Sequence, residues 1–423
     1  MAGPIPTRLL PDTAAISADG RLRIGGCDLV DLAGEYGTPL FVYDEAHLRA
    51  RCREAVTAFG DGVAYASKAF LCDAMARLAH EEGMHLDVAT GGELFVALRA
   101  GVPADRLVMH GNNKSDAELA MALDEGVGRI VVDSFDELDR LDAIATATGS
   151  RPRVLLRITP GVEAHTHEFI ATGQDDSKFG FTASSGLATA AVERAVASDS
   201  VELVGLHAHI GSQVFEVGAF ARAIEVLIDF AAPFGLAELS VGGGLGVPYV
   251  EGESAPSITE WASGIRAVCE AAGVTASVSA EPGRAIVAAA AITLYTVGTI
   301  KDLPGIRTYV AVDGGMSDNP RPVLYGSGYE TFLPRATAAE RSRPVRVVGK
   351  HCESGDLLVR EGWVPDDLVV GDVLATPVTG AYGHAMGSNY NHVLRPAVVF
   401  VADGDARMVV RRETFEDLVR REV

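Results

Sequence analysis

Lys68 closes the apolar run VAYASKA, which reads as a strand, just ahead of a helix expected to begin at Leu71. A lysine in that place is expected to face a ligand rather than solvent. Partial desolvation would lower its pKa and free an amine able to condense with an aldehyde. Other polar residues fall at the ends of further strand-like runs: Asp87, His110, His209, Ser212, Gly242 to Gly244, Glu281 and Arg284. The run GGGLG at 242–246, with Gly283 and Arg284, offers backbone amides and a guanidinium to a phosphate, and it also suits a tight turn needing positive φ. Glu281 is an acid able to keep a pyridine nitrogen protonated, which makes such a ring an electron sink. Amine, phosphate cradle and acid together suit pyridoxal phosphate.

His207 and His209 lie two apart on one strand and so share a face. They admit two functional readings, a metal pair or a histidine lying flat under a cofactor ring. No His-x-His opens the first strand, and no further group of carboxylates and histidines completes a ligand set. The expectation is therefore ring support by His209 and no metal.

These residues need a scaffold that gathers strand ends. Eight runs serve: VAYASKA, MHLDVAT, RLVMHGN, RIVVDS, RVLLRITPG, VELVGLHAHIGSQ, LAELSVGGGLGV and TASVSAEPGRA. They are short, rich in Val, Ile and Leu and apolar almost throughout, as parallel strands buried on both faces must be. Amphipathic stretches separate them, three with a Ser-x-x-Glu start at Ser115/Glu118, Ser134/Glu137 and Ser257/Glu260. Eight β-then-α units in roughly 250 residues predict an α/β fold built on a (β/α)8 TIM-like barrel, whose chemistry lies at the C-terminal strand ends.

From about residue 290 the texture changes to alternating short runs such as RTYVAVDGGM, RPVRVVGK and DLLVREG, and to the pair VLRPAVVFV and ARMVVRRE across a Gly-Asp turn. The N-terminal stretch has the same character. The chain is therefore divided into residues 1–42 as the N-terminal part of a mostly antiparallel β domain, 43–289 as the barrel, and 290–423 as the C-terminal part of the β domain.

A net charge of −21 with no Lys/Arg cluster argues against a nucleic-acid or anionic-membrane surface and for a small-molecule substrate. The five cysteines are scattered, with no Cys-x-x-Cys, which suits a reducing cytoplasm. No stretch is long and apolar enough to span a bilayer, and the N-terminus lacks a signal-peptide core. The segment Glu163 to Lys178 is the one long polar connection within the barrel, of a kind that often closes over a ligand.

Read together, YASKA at 65–69, HIGSQ at 209–213, GGGLG at 242–246, EPGRA at 281–285 and CESGD at 352–356 resemble the diaminopimelate decarboxylases, in matching order from Thr38 to the C-terminus. The resemblance implies the alanine racemase-like fold and pyridoxal 5′-phosphate as cofactor. It implies decarboxylation of meso-2,6-diaminopimelate at its D centre to L-lysine and carbon dioxide, the last step of lysine biosynthesis. It makes Lys68, Cys352 and His209 the catalytic residues. Lys68 carries the cofactor, His209 stacks on its ring, and Ser212, Gly243, Gly244, Glu281, Gly283, Arg284 and Tyr382 hold phosphate and ring. Substrate contacts carry over as Arg284, Arg321, Tyr325, Glu353 and Tyr382, with Cys352 supplied across a homodimer interface. The proton returned to Cα after decarboxylation comes from Cys352 or Lys68; the sequence leaves both open. An alternative is a decarboxylase of the same fold acting on another amino acid. The two arginines and Glu353 speak for a distal end bearing both carboxylate and ammonium. The stretch GHAMGSNYN at 383–391 is the least familiar part of the pattern.

Overall fold

The computed structural model describes residues 2–161 and 176–423, so most of the polar segment expected to cover a ligand lies outside the described residues. The chain divides into two compact units, Arg51–Gly246 with Ala255–Ala285, and Met1–Ala50 with Val247–Ser254 and Ile286–Val423.

In the first unit all eight expected strands form: β1 (Ala64–Ala66), β2 (His85–Val88), β3 (Leu107–Met109), β4 (Arg129–Val132), β5 (Arg153–Thr159), β6 (Glu202–His207), β7 (Glu238–Ser240) and β8 (Ser277–Ser279). Neighbours pair in sequence order and in parallel. The ring closes where Ala64 N donates to Ala280 O at 3.0 Å and Ala66 N to Pro282 O at 3.3 Å. This is the expected barrel. Gly283 permits the closure, because a Cβ there would meet Ala66 Cβ at 2.8 Å. Inside, Val108, Val131, Leu155 and Val204 form a buried apolar layer, so the polar strand ends sit on a packed base.

Local signals fare unevenly. The helices Asp116–Glu125 and Ile258–Ala271 open with complete capping boxes at Ser115/Glu118 and Ser257/Glu260. At Phe135–Thr148, Ser134 accepts from Glu137 N, but the Glu137 side chain does not return the bond. Its Oε1 instead takes Lys114 Nζ at 2.6 Å, and its Oε2 takes Asp133 N at 3.0 Å. Lys114 is 1% exposed and also donates to Gly111 O and Val131 O. A buried ammonium needs all three hydrogens bonded, and that need outranks an optional cap. After Lys68 the helix begins at Asp73 rather than Leu71, because a short 3-10 turn, Ser67–Ala69, intervenes.

The second unit is built on the long strand Ala291–Leu303, which pairs antiparallel with Arg307–Val312, Val373–Pro377 and Leu40–Asp44. The N-terminal strand Leu40–Asp44 thus joins the C-terminal sheet by strand addition, as expected. The sheet is mostly antiparallel. Its parallel pairings are Leu40–Asp44 with Ala397–Ala402 and Arg307–Val312 with Arg343–Val348. Asp403 and Gly404, with φ of 52° and 87°, make the hairpin turn into Asp405–Val410, the left-handed pair that a tight hairpin requires. Residues 15–28 form a separate small sheet of three short strands.

Candidate active site

At the C-terminal end of the barrel, Lys68 follows β1 between the buried Ser67 and Ala69. Lys68 itself is exposed, so the described protein atoms do not supply the desolvation expected of it. Its surroundings are set by charge instead. Ser67 N donates to Asp87 Oδ1 at 3.1 Å, and Glu93 Oε2 accepts from Ala89 N at 2.6 Å. Burial raises the pKa of both acids while the Lys68 ammonium pulls against it; Asp87 is carried well above the carboxylate range.

Glu281, just past β8, is as buried as Asp87 yet goes the other way. Burial would raise its pKa, but His207 and His110 hold it well below the usual carboxylate range. His207 Nε2 lies 3.0 Å from Glu281 Oε2, Ser240 Oγ donates to Oε1 at 3.0 Å, and His110 Nε2 lies 3.4 Å from Oε1. Two neighbouring acids are thus driven apart, Asp87 upward and Glu281 downward, a pattern typical of sites that handle protons. An ionised carboxylate just past the end of β8 is what a protonated pyridine nitrogen requires.

His209 leaves the strand just after His207, and its Nδ1 accepts from Gly243 N at 3.1 Å. Burial, with the nearby Lys68 and Arg157 charges, holds its pKa well below 6.5, so the ring is neutral and its hydrogen sits on Nε2. The two histidines, which as a pair had offered the alternative metal reading, are split: His207 contacts Glu281, and His209 accepts from the glycine run. A different trio, His110, His207 and Glu281, has ligand atoms within 4.8 Å of one another, but both carboxylate oxygens already accept hydrogen bonds.

The glycine run is demanded by close approach. A Cβ at Gly243 would stand 2.2 Å from Glu281 O, and one at Gly244 would stand 2.1 Å from Gly211 O. Gly242 and Gly244 also have φ of 65° and 115°. Gly242 N donates to Ser240 Oγ, Gly243 N to His209 and Gly246 N to Val214 O, which leaves the Gly244 and Leu245 amides as the run's candidate donors toward a phosphate. Arg284 NH2 donates to Ser212 Oγ at 2.8 Å, so two expected phosphate ligands are already joined. Amine, ionised acceptor, flat neutral ring, glycine amide and hydroxyl–guanidinium pair fit pyridoxal phosphate.

The second unit carries the other expected residues. Arg321 opens the helix Arg321–Tyr325 and is 4% exposed. Its guanidinium lies 4.0 Å over the Tyr249 ring and 5.5 Å from the Tyr329 ring, and NH1 donates to Tyr329 Oη. Its Nε is buried without a hydrogen-bond partner among the described residues, a donor suited to a carboxylate. Tyr325 is half-buried at the end of the same helix. Cys352 and Glu353 are both exposed. Their loop is held by Asp356, whose oxygens accept from Met316 N at 2.7 Å and His351 N at 2.8 Å. Tyr382 is held at φ 63°, a left-handed conformation that a tyrosine keeps only under constraint from its surroundings.

Sequence reasoning missed the supports. Asn391, in the unfamiliar stretch, accepts from Cys352 N at 3.1 Å, and the Tyr390 ring packs 5.4 Å from His351. Arg157, buried in β5 with its guanidinium 4.2 Å over Phe179, had a signal: an arginine inside an otherwise apolar strand. Ser240 and Tyr249 had none.

The pyridoxal-binding domain of the pyridoxal-dependent decarboxylases matches residues 45–288. Over 96% of its length the chain is 51% identical to the diaminopimelate decarboxylase of Mycobacterium tuberculosis, of which 95% is covered. It is 46% identical to that of Bacillus subtilis, covering 97% of each chain. The crystal structure of the M. jannaschii diaminopimelate decarboxylase in complex with L-lysine superposes with a TM-score of 0.91 at 32% identity, covering 97% of this chain and 98% of that one.

Proposed function

The chain belongs to the diaminopimelate decarboxylases, pyridoxal phosphate-dependent enzymes, and we propose that it releases carbon dioxide from the D centre of meso-2,6-diaminopimelate to leave L-lysine. The observation that carries the assignment of roles is the pairing of Lys68 with an ionised, buried Glu281 at one end of one barrel. The full-length relatives share the diaminopimelate activity, so a substrate with another distal group is set aside.

Bound pyridoxal phosphate supplies a ring that accepts the electrons left when the carboxylate departs. Lys68 provides the amine that holds it. Glu281 would keep its ring nitrogen protonated, and neutral His209 would support the ring without adding charge. Ser212, Gly243, Gly244, Gly283, Arg284 and Tyr382 hold the phosphate and ring, with Gly243 acting through His209.

Arg321, stiffened between two tyrosines, takes the distal carboxylate with Arg284, Tyr325 and Tyr382, and Glu353 takes the distal ammonium. A diamine precursor lacking that carboxylate leaves Arg321 unpaired and is rejected. Cys352 or Lys68 returns the proton to Cα. The exposure of Cys352 and Glu353 in the single chain supports a homodimer in which this loop completes the partner's site. The cytoplasm is the proposed compartment; no helix among the described residues is long and apolar enough to cross a membrane.

Carbon dioxide release from the meso, L,L and D,D isomers tests the reading. The meso isomer is expected to yield L-lysine and the L,L isomer nothing. Faster turnover of ornithine or arginine would contradict it.

A further inference from the structure

Glu281 is surrounded by hydrogen-bond donors, and their charge state is as informative as their positions. Ser240 Oγ accepts from Gly242 N at 3.2 Å, so its one hydrogen is free to point at Glu281 Oε1, 3.0 Å away. His207, 1% exposed, lies 3.0 Å from Oε2 through Nε2, while its Nδ1 is buried without a hydrogen-bond partner among the described residues. A carboxylate only accepts, so Nε2 is the donor of that bond. His110 stands edge-on to His207, ring centroids 5.0 Å apart, with its own Nε2 at 3.4 Å from Oε1. Its pKa is driven down to about 4, chiefly by burial, so at neutral pH it is uncharged.

Among the described residues the carboxylate is thus bonded by Ser240 and His207 and approached by His110, with no lysine or arginine paired to it directly. The arginine nearest in charge, Arg157, lies toward Asp133, with Nε 3.8 Å from Oδ1. An arginine bonded directly to Glu281 would compete with a cationic ring nitrogen for its charge, whereas a hydroxyl and imidazole nitrogens hold the carboxylate in place without a fixed guanidinium on it. On the side away from the strand ends, Ser240 and Glu281 also line a cavity of about 260 Å³. It runs past Val108, Leu155 and Ser279 to His85, Arg129 and Asp61.

We propose that Ser240, His207 and His110 are positioning residues that hold Glu281 as a carboxylate bonded by hydroxyl and imidazole groups, with no guanidinium or ammonium on it, for the cofactor's ring nitrogen. This rests on the reading that pyridoxal phosphate binds with that nitrogen on Glu281, and it assigns to three side chains a role exerted through Glu281.

The test uses full-length protein reconstituted either with pyridoxal phosphate or with its deaza analogue, in which C–H replaces the ring nitrogen. Ser240→Ala and His207→Phe are each expected to weaken pyridoxal phosphate binding roughly tenfold, the usual cost of one hydrogen bond to a charged group. Binding of the deaza analogue is expected to be unchanged, and His207→Asn, which keeps a neutral donor, is expected to restore part of the loss. Equal weakening toward both cofactors would show a merely structural role and overturn the proposal, as would unaltered pyridoxal phosphate affinity. Should His207→Phe fail to fold, Ser240→Ala and His207→Asn give the same comparison. Failure of the functional reading looks different: the unsubstituted protein would bind neither cofactor.

Discussion

The backbone amide of Gly243 donates to Nδ1 of His209 at 3.1 Å, so the glycine run and the ring-supporting histidine form one unit. A Cβ at position 243 would stand 2.2 Å from the Glu281 carbonyl oxygen, so the turn cannot widen without moving the acid as well. Gly243→Ala is expected to cost about 1–3 kcal/mol of stability and most of the cofactor affinity. Urea unfolding and cofactor absorbance measure the two effects, and a stable, fully loaded variant would refute the linkage.

Arg321→Lys keeps the charge but loses the fork and the stacking on Tyr249. KM for meso-diaminopimelate is expected to rise by about ten- to a hundredfold, with the absorbance of the bound cofactor unchanged. A fall in kcat at constant KM would remove Arg321 from substrate binding.

Lys114→Met leaves Glu137 as a buried, unpaired acid and is expected to cost about 3–5 kcal/mol. The double variant Lys114→Met/Glu137→Gln should recover much of that loss. Chemical denaturation of the three proteins decides; additive losses would mean that the pair is not coupled.

Asp318 is buried in the β unit, accepting from Tyr295 Oη at 2.8 Å and Gly315 N at 2.6 Å, and burial pushes its pKa up to about 7. The neighbouring acids Asp313 and Asp356 add to that push. A raised carboxylate pKa means that the folded state binds the proton more tightly. Its contribution to stability is therefore full below the unfolded pKa and falls as pH rises from about 4 to about 7, at up to about 1.4 kcal/mol per pH unit. Asp318→Asn should remove that slope from a stability-versus-pH comparison with the unsubstituted protein. Identical slopes would show that Asp318 is not the titrating group.

The barrel was legible because its strands are buried on both faces and so read as apolar runs, and because Lys68, His209, Glu281 and Arg284 sit where those runs stop. What stayed hidden depends on long-range pairing. Lys114 lies in the polar string GNNKS and looks like a solvated loop lysine, yet it claims Glu137 and dissolves a capping box that the local pattern promised. The spacing of His207 and His209 suggested a shared role, but β6 ends at His207, and the chain beyond it turns His209 toward Gly243. The grip on Arg321 comes partly from Tyr249, in the segment Val247–Ser254 that packs with the β unit although the barrel's own residues flank it in sequence. Lys68 is exposed among the described residues: a position at a strand end fixes where the amine starts, not how much of it the described atoms cover.

Borohydride reduction of the pyridoxal phosphate-loaded protein, followed by peptide mapping, tests the central claim most directly, because it fixes the cofactor to the amine that holds it. The pyridoxyl group is expected on Lys68 alone, and Lys68→Ala should abolish both labelling and turnover. Label on another lysine, or turnover surviving in Lys68→Ala without added amine, would contradict the account.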